Sequence, residues 1–320
     1  MNTMNIDQFI GENNSIDNAI DSTKPKKIKP IPKVINGRYK IKRVLGVGGM
    51  GMVYQVDDLL LHSLGIDACE FAIKVLNSEA SAYHDAELIL VNEYLQANQL
   101  HHPNIVPISH LALCNESQRG FLVMPMIKGD LLSLLLESPF ESIPDNDRLK
   151  YAYVLINCLI HCHKRGVIHG DIKPSNVLIS NNNEVYLFDF SISRNVNPEH
   201  NKFAIDFKNV HAWSGDYAAP EVLQGNAPTI KSDLYSLAIL LYKLLLKTHP
   251  YQQKKDISTH RTKEEQQLHL LLLQAMGAVP SERQMNMKAL LSIIKSINTQ
   301  QSKTNNISAL KRVTSIFTKR

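Results

Sequence analysis

Regular alternation of apolar and polar side chains sets in only after the first 35 residues. RYKIKRVLG (38–46) and GMVYQV (51–56) alternate as two paired strands do, on either side of a glycine-rich turn, and CEFAIKVL (69–76) reads as a third strand. The period then lengthens to that of a helix from about Asp85 to Leu100, which stops before Pro103 because a residue ahead of proline is steered away from helical dihedrals. Strands are expected near 105–113 and 120–126. From Asp130 onward helical periodicity dominates, over 130–137, 145–164, 231–247, 264–276 and 286–297. The most apolar stretch, LYSLAILLYKLLL (234–246), is bounded by Asp233 and broken by Lys243, which suits a helix buried in a large domain rather than one in lipid. The pattern therefore predicts an α+β protein, a small antiparallel sheet with one main helix followed by a larger, mainly helical part. No internal repeat is visible, and NTQQSKTNN (298–306) reads as a polar linker.

Charge divides the chain differently. Residues 22–56 carry nine Lys or Arg and no Asp or Glu, residues 283–320 carry eight and none, and residues 57–282 hold 18 basic against 26 acidic side chains. Basic ends thus flank an acidic body. KPKKIKPIPK (24–33) joins that charge to prolines that favour an extended, solvated chain, so residues 1–35 are expected to be a flexible tail. ISALKRVTSIFTKR (307–320) is able to form a basic amphipathic helix, within a C-terminal tail over 297–320. These tails are candidates for docking on a partner or an anionic membrane, and no specific nucleic acid is expected. The four cysteines have neither the density of a disulfide framework nor the spacing of a zinc site, which points to reduced thiols. With no signal-like start and no span-length apolar segment, the expected location is the cytoplasm.

Several residues stand where their chemistry needs explaining. GVGGMG (46–51) gives Gly46, Gly48 and Gly51 the G-x-G-x-x-G spacing that lets backbone amides approach phosphate oxygens. A dinucleotide fingerprint would open a helix here, whereas Met52, Val53 and Tyr54 continue as a strand, so the loop reads as a flap over nucleotide phosphates. Lys74 lies inside a strand, where an ammonium group is costly without a partner, and Glu93 on the following helix is the candidate partner. HCHKRGVIH (161–169) offers three histidines and a cysteine, and then comes HGDIKPSN (169–176) with Asp171, Lys173 and Asn176.

With LFDFS (187–191), YAAPE (217–221), SDLYSLAILLY (232–242) and PSERQ (280–284) following in order, the sequence resembles the eukaryotic-like Ser/Thr protein kinases that bacteria carry. The resemblance covers about 36–296 and implies a two-lobed kinase fold, with an N-lobe over 36–124, a hinge over 125–129 and a C-lobe over 130–296. It implies transfer of the γ-phosphoryl group of ATP, with Mg²⁺, to Ser or Thr of a protein. On this resemblance Asp171 takes or orients the hydroxyl proton, Lys173 neutralises the γ-phosphoryl, and Asn176 and Asp189 ligate Mg²⁺. Lys74, paired with Glu93, holds the α- and β-phosphates. Gly46, Val47, Gly48, Gly49, Met50, Gly51 and Val53 cover the nucleotide, with Ala72, Met124 and Leu178 about the adenine, the Pro125 carbonyl and the Ile127 amide bonding its edge. In the kinase register His163 and His169 serve architecture rather than a metal, and Arg283 is placed to pair with Glu221.

The departures carry expectations of their own. Gly170 replaces the arginine that usually precedes the catalytic aspartate, and Arg194–Trp213 contains no Ser, Thr or Tyr, so activity is expected without activation-loop phosphorylation. Ser191 stands where glycine normally lets the loop turn, and Ala97 replaces a larger apolar residue four positions after Glu93. Ser214 matches a hydroxyl that touches the catalytic loop, and Thr314 and Ser315 are candidate autophosphorylation sites. HGD is also similar to the loop of aminoglycoside- and choline-type kinases, making a small-molecule kinase the alternative enzyme. A pseudokinase scaffold that binds nucleotide is the alternative without catalysis.

Overall fold

The computed structural model describes residues 30–48, 51–67, 69–76, 85–137, 143–201, 207, 215–248, 250 and 262–299. Residues 1–29 and 300–320 of the tails, Thr314 and Ser315 among them, lie outside the described residues, as do Gly49, Met50 and Ser214. Two compact units result: a small one up to Asn98 together with Val106–Ile127, and a large one from Lys128 onward together with Gln99–Ile105.

The small unit is one six-stranded antiparallel sheet in the order β1-β2-β3-β4-β6-β5. Its strands are β1 (Val34–Ile35), β2 (Tyr39–Val47), β3 (Gly51–Asp58), β4 (Glu70–Leu76), β5 (His110–Leu113) and β6 (Gly120–Pro125), with helix α2 (Asp85–Ala97) crossing over between β4 and β5. Alternate residues of these strands make the core, among them Tyr39, Val56, Ile73, Val75, Phe121 and Val123. Ile35 is completely buried in that core, so the sheet begins two residues inside the expected tail. The expected strand at 105–113 shortens to its last four residues. Pro107 supplies no N–H for a ladder in the part that is lost. Helix α1 (Leu59–Ser63) was not signalled by periodicity. It is started by Asp58, whose carboxylate accepts from the amides of Leu60 and Leu61. The same carboxylate is fully buried against Arg38 at 2.6 Å; burial alone would raise its pKa, but the guanidinium and the two amides outweigh that and hold it below the usual carboxylate value.

The large unit is built around two helices. Helix α4 (Asp145–Lys164) carries Asp145 and Asp147 in its first turn and Lys164 in its last, each complementing the helix dipole. Helix α6 (Ile230–Leu246) is apolar nearly all round and buried at every position from Ser232 to Tyr242. Its start is fixed by a reciprocal capping box between Thr229 and Ser232. The buried Arg148 ties the two together, donating to the Ile143 carbonyl at 3.0 Å and the Leu244 carbonyl at 2.9 Å. Helix α7 (Lys263–Ala275) and a helix over 287–299 complete the helical part, together with the short α3 (Leu132–Glu137) and α5 (Pro220–Leu223).

Two small sheets carry the loops of interest. One orders β10 (Val185–Leu187), β9 (Val177–Ser180) and β7 (Gly129–Leu131), and the other pairs β8 (Val167–Ile168) with β11 (Arg194–Asn195). Residues 130 and 131, the start of the expected helix over 130–137, are therefore strand. Gly129 explains the difference, because any Cβ there would collide with the Ile179 carbonyl of the neighbouring strand. Among the described residues no helix is long and apolar enough to cross a membrane.

Candidate active site

In the small unit, the glycine loop joins β2 to β3 and its three described glycines differ in what they do. A Cβ at Gly51 would lie 2.5 Å from the Val75 carbonyl, so the close approach of β3 to β4 requires that glycine. Gly46 faces open space, Gly48 has only the Gly51 carbonyl at 3.7 Å, and neither has a positive φ. The fold therefore has no steric need for glycine at 46 and 48. Val53 on β3 pairs in register with Lys74 on β4, and Lys74 with Leu122 on β6. From that position Lys74 Nζ reaches Glu93 Oε2 of α2 at 2.7 Å, both groups being largely buried. Ala72 is buried beside Met124, while Val53, Met124 and Ile127 are half-buried and Pro125 is exposed at the end of its strand.

In the large unit, β8 delivers the chain into His169–Gly170–Asp171. The buried carboxylate of Asp233, in the first turn of α6, accepts from the amides of His169 and Gly170 at 2.9 Å each and is joined by His163 Nε2 at 2.8 Å. His169 Nδ1 faces the Asp171 amide at 3.3 Å and Nε2 faces the Phe188 carbonyl at 3.3 Å. That pairing assigns the neutral Nε2–H tautomer, and burial accordingly lowers the pKa of His169 despite the nearby carboxylates of Asp233, Asp171 and Asp189. His161 instead packs at a tilt against His102, ring centroids 5.1 Å apart, so the histidines of 161–169 have separate surroundings.

Two side chains converge on one carboxylate. Lys173 Nζ lies 2.6 Å from Asp171 Oδ2, and Asn176 Nδ2 donates to the same oxygen at 2.9 Å and to the Asp171 carbonyl at 2.8 Å. Pro174 starts the one-turn helix Pro174–Asn176 that carries Asn176 back toward Asp171. The β9–β10 hairpin then leads, past the half-buried Leu178, to Phe188 and Asp189. Further along, Glu221 and the fully buried Arg283 form a bidentate pair, both contacts 2.6 Å.

The description "Protein kinase domain" matches residues 39–313 of this chain. The chain belongs to the protein kinase family. Serine/threonine-protein kinase PrkC of Bacillus subtilis (strain 168) is 32% identical over 230 residues, 71% of this chain and 33% of that protein. Probable serine/threonine-protein kinase PknB of Lactococcus lactis subsp. lactis (strain IL1403) is 29% identical over 221 residues, 69% of this chain and 33% of that protein. Serine/threonine-protein kinase PknD of Chlamydia caviae is 28% identical over 293 residues, 79% of this chain and 30% of that protein. The kinase chain spans about a third of the length of these curated relatives.

Within this kinase domain the two departures near the catalytic loop have steric explanations. Gly170 has φ +84°, and a Cβ there would lie 2.9 Å from the Ile192 carbonyl and 3.1 Å from Pro228. A side chain at 170 is thus disfavoured by both dihedral and contact. Ser191 adopts no positive φ; the turn is made two residues earlier by Asp189, at φ +68°. Serine therefore costs the loop no backbone strain. Ala97 ends α2 and is buried.

Proposed function

We propose that this kinase transfers the γ-phosphoryl group of ATP, with Mg²⁺, to Ser or Thr hydroxyls of a protein, and does so without a phosphate on its own activation segment. The observation that carries this reading is the Asp171–Lys173–Asn176 cluster. With Oδ2 held by a lysine and an amide, Asp171 is oriented so that its other oxygen accepts the proton of an incoming hydroxyl. That hydroxyl oxygen bonds to the γ-phosphorus as the bond to the β,γ-bridging oxygen breaks, ADP leaves, and the proton passes to Asp171. Lys173 beside the same carboxylate neutralises charge on the transferring group.

Asn176 and Asp189 fit Mg²⁺ by donor type. Asn176 spends its amide nitrogen on Asp171, which leaves its oxygen to the cation, and both residues offer the hard oxygen that Mg²⁺ prefers, with phosphate and water as further ligands. Bound there, Mg²⁺ supplies neutralisation of phosphate charge. Lys74, oriented by Glu93, binds the α- and β-phosphates, and Gly46 and Gly48 fit a loop shaped for ligand rather than for packing. Ala72, Met124 and Leu178 contribute apolar contacts to the adenine, with hydrogen bonds from the Pro125 carbonyl and the Ile127 amide. Reduced thiols suit the cytoplasm, and the basic tails suit an anionic docking partner.

The test is label transfer from γ-labelled ATP with Mg²⁺ to the chain itself and to a generic basic protein, for wild type and Asp171→Ala, before and after phosphatase treatment. Labelled Ser or Thr in the wild type alone, undiminished by prior dephosphorylation, is the expected result. Absence of label despite Mg²⁺-dependent ATP binding would overturn it, in favour of a scaffold or a small-molecule acceptor. Loss of activity on dephosphorylation would remove the claim of phosphate independence alone.

A further inference from the structure

Beyond Asp189 the large unit is fastened by amides. Asn195, in β11, is 2% exposed. Its Nδ2 donates to Gln99 Oε1 at 3.1 Å and to the Arg165 carbonyl at 3.4 Å, while its Oδ1 accepts from the Asn197 amide at 2.9 Å. Its backbone is engaged as well: the N–H donates to Asn201 Oδ1 and the carbonyl accepts from Asn201 Nδ2, each at 2.7 Å. One side chain thereby stands in for a neighbouring strand. Asn197 closes the turn between them by accepting from the Glu199 amide, and the Val196 amide donates to the Gly166 carbonyl at 2.7 Å. Gly166, at φ +74°, has no room for a Cβ, which would come within 2.8 Å of Asn195 Oδ1.

A polar loop that merely satisfies itself on the surface would not look like this. Asn195 is buried, all four of its polar groups are used, and they reach three separate stretches of chain, at 99, 165 and 197–201. The placement explains the use. β8 runs directly into His169–Asp171 and β11 follows directly on Asp189–Ser193, with Asn195 opposite Val167 and Arg194 opposite Ile168. That ladder sets where the Asp189 turn lies relative to Asp171, yet it is only two residues long and two short strands hold poorly alone. The amides supply what the ladder lacks.

We propose that Asn195 and Asn201 form a charge-free anchor that keeps Asp189 in place relative to Asp171, with Asn195 as a positioning residue for the metal-binding carboxylate. The inference rests on the kinase reading above and gives phosphate independence a structural cause. An anchor built of neutral amides needs no phosphate to assemble and no arginine at 170 to receive one.

The experiment compares the full chain with Asn195→Ala and Asn201→Ala, each dephosphorylated, by steady-state kinetics across a Mg²⁺ titration and by hydrogen exchange over residues 188–196. Asn195→Ala is expected to lower kcat about tenfold and to raise the Mg²⁺ concentration at half-activity several-fold, the range seen when groups that orient metal ligands are removed. The KM for ATP stays within about twofold if the effect is one of position. Asn201→Ala, which spares the bonds to Gln99 and Arg165, shifts the same quantities in the same direction by less. Faster exchange over 188–196 accompanies both. Mg²⁺ dependence and exchange unchanged in both variants would overturn the anchor. Should Asn195→Ala fail to fold, Asn201→Ala alone decides by the same criteria. A wild type that transfers no label, with exchange still accelerated by the substitutions, overturns the kinase reading and leaves the anchor standing.

Discussion

The two strands that bracket the candidate catalytic groups of the large unit are fixed by opposite chemistry. On the β8 side a buried carboxylate, Asp233, gathers two backbone amides and a histidine around the turn that presents Asp171. On the β11 side the neutral side-chain amide of Asn201 clasps the backbone of Asn195, whose own amide reaches Gln99 and Arg165. A buried carboxylate gives strong, charge-assisted bonds but is expensive to leave short of a donor, whereas an amide carries both a donor and an acceptor and needs no counter-charge. Carboxylate suits the site where only N–H groups converge. Amide suits the site where a carbonyl, an amide oxygen and an N–H all have to be met by one residue.

Isosteric exchanges should break each side in its own way. Asp233→Asn turns one oxygen into a donor against amides that already donate, and is expected to lower stability by about 3 kcal/mol, read from urea unfolding. The reverse exchange, Asn195→Asp, sets an oxygen against Gln99 Oε1 and the Arg165 carbonyl and should cost about 2 kcal/mol at neutral pH. Its signature is the pH dependence. A carboxyl in that place has its pKa raised, so the deficit relative to wild type narrows as pH falls and the protonated group regains a donor. Gly170→Ala tests the geometry that Asp233 supports, and forcing a side chain to φ +84° against the Ile192 carbonyl should cost about 1–2 kcal/mol in the same measurement.

Acid supplies a gentler probe of the wild type. Burial lowers the pKa values of His102, His161 and His169, so these rings stay neutral in the folded state while the unfolded chain takes up protons. Their contribution is intact above the unfolded value of about 6.5 and is lost as pH falls through the folded values. Urea midpoints at pH 7.5, 6.5 and 5.5 should therefore decline in that order, and a flat series would contradict the burial of neutral rings. The smallest effect belongs to Ser191→Gly. With no positive φ to relieve, glycine there brings no gain, and its greater freedom when unfolded alone costs about 0.5–1 kcal/mol.

How far the sequence could be read follows from the distance over which each feature is determined. Helices α4 and α6 are visible because their periodicity and first-turn signals lie within the segment itself. The pairing of Lys74 with Glu93, and of Glu221 with Arg283, was legible only through the order of motifs, since neither spacing nor period joins residues so far apart. Strand β7 escaped because its partner β9 lies almost fifty residues away, and LLSLLLE alone does look helical. At Gly170 the missing arginine was visible and the steric reason was not, because Ile192 and Pro228 meet it only in the folded chain. The Asn195 anchor was the least visible of all. NVNPEHN reads as an unremarkable polar loop until Gly166, Arg165 and Gln99 are brought beside it.

The placement of the four cysteines gives the protein two internal clocks. Cys69 and Cys114 are buried in the small unit, Cys158 and Cys162 in the large one, and burial pushes the Cys158 thiol up to about 12 and that of Cys162 well above its usual value. Since the thiolate is what reacts, an alkylating reagent can label each pair only when its own unit opens. The order in which the two pairs are modified then reports which half of the molecule breathes first, with no substitution needed to see it.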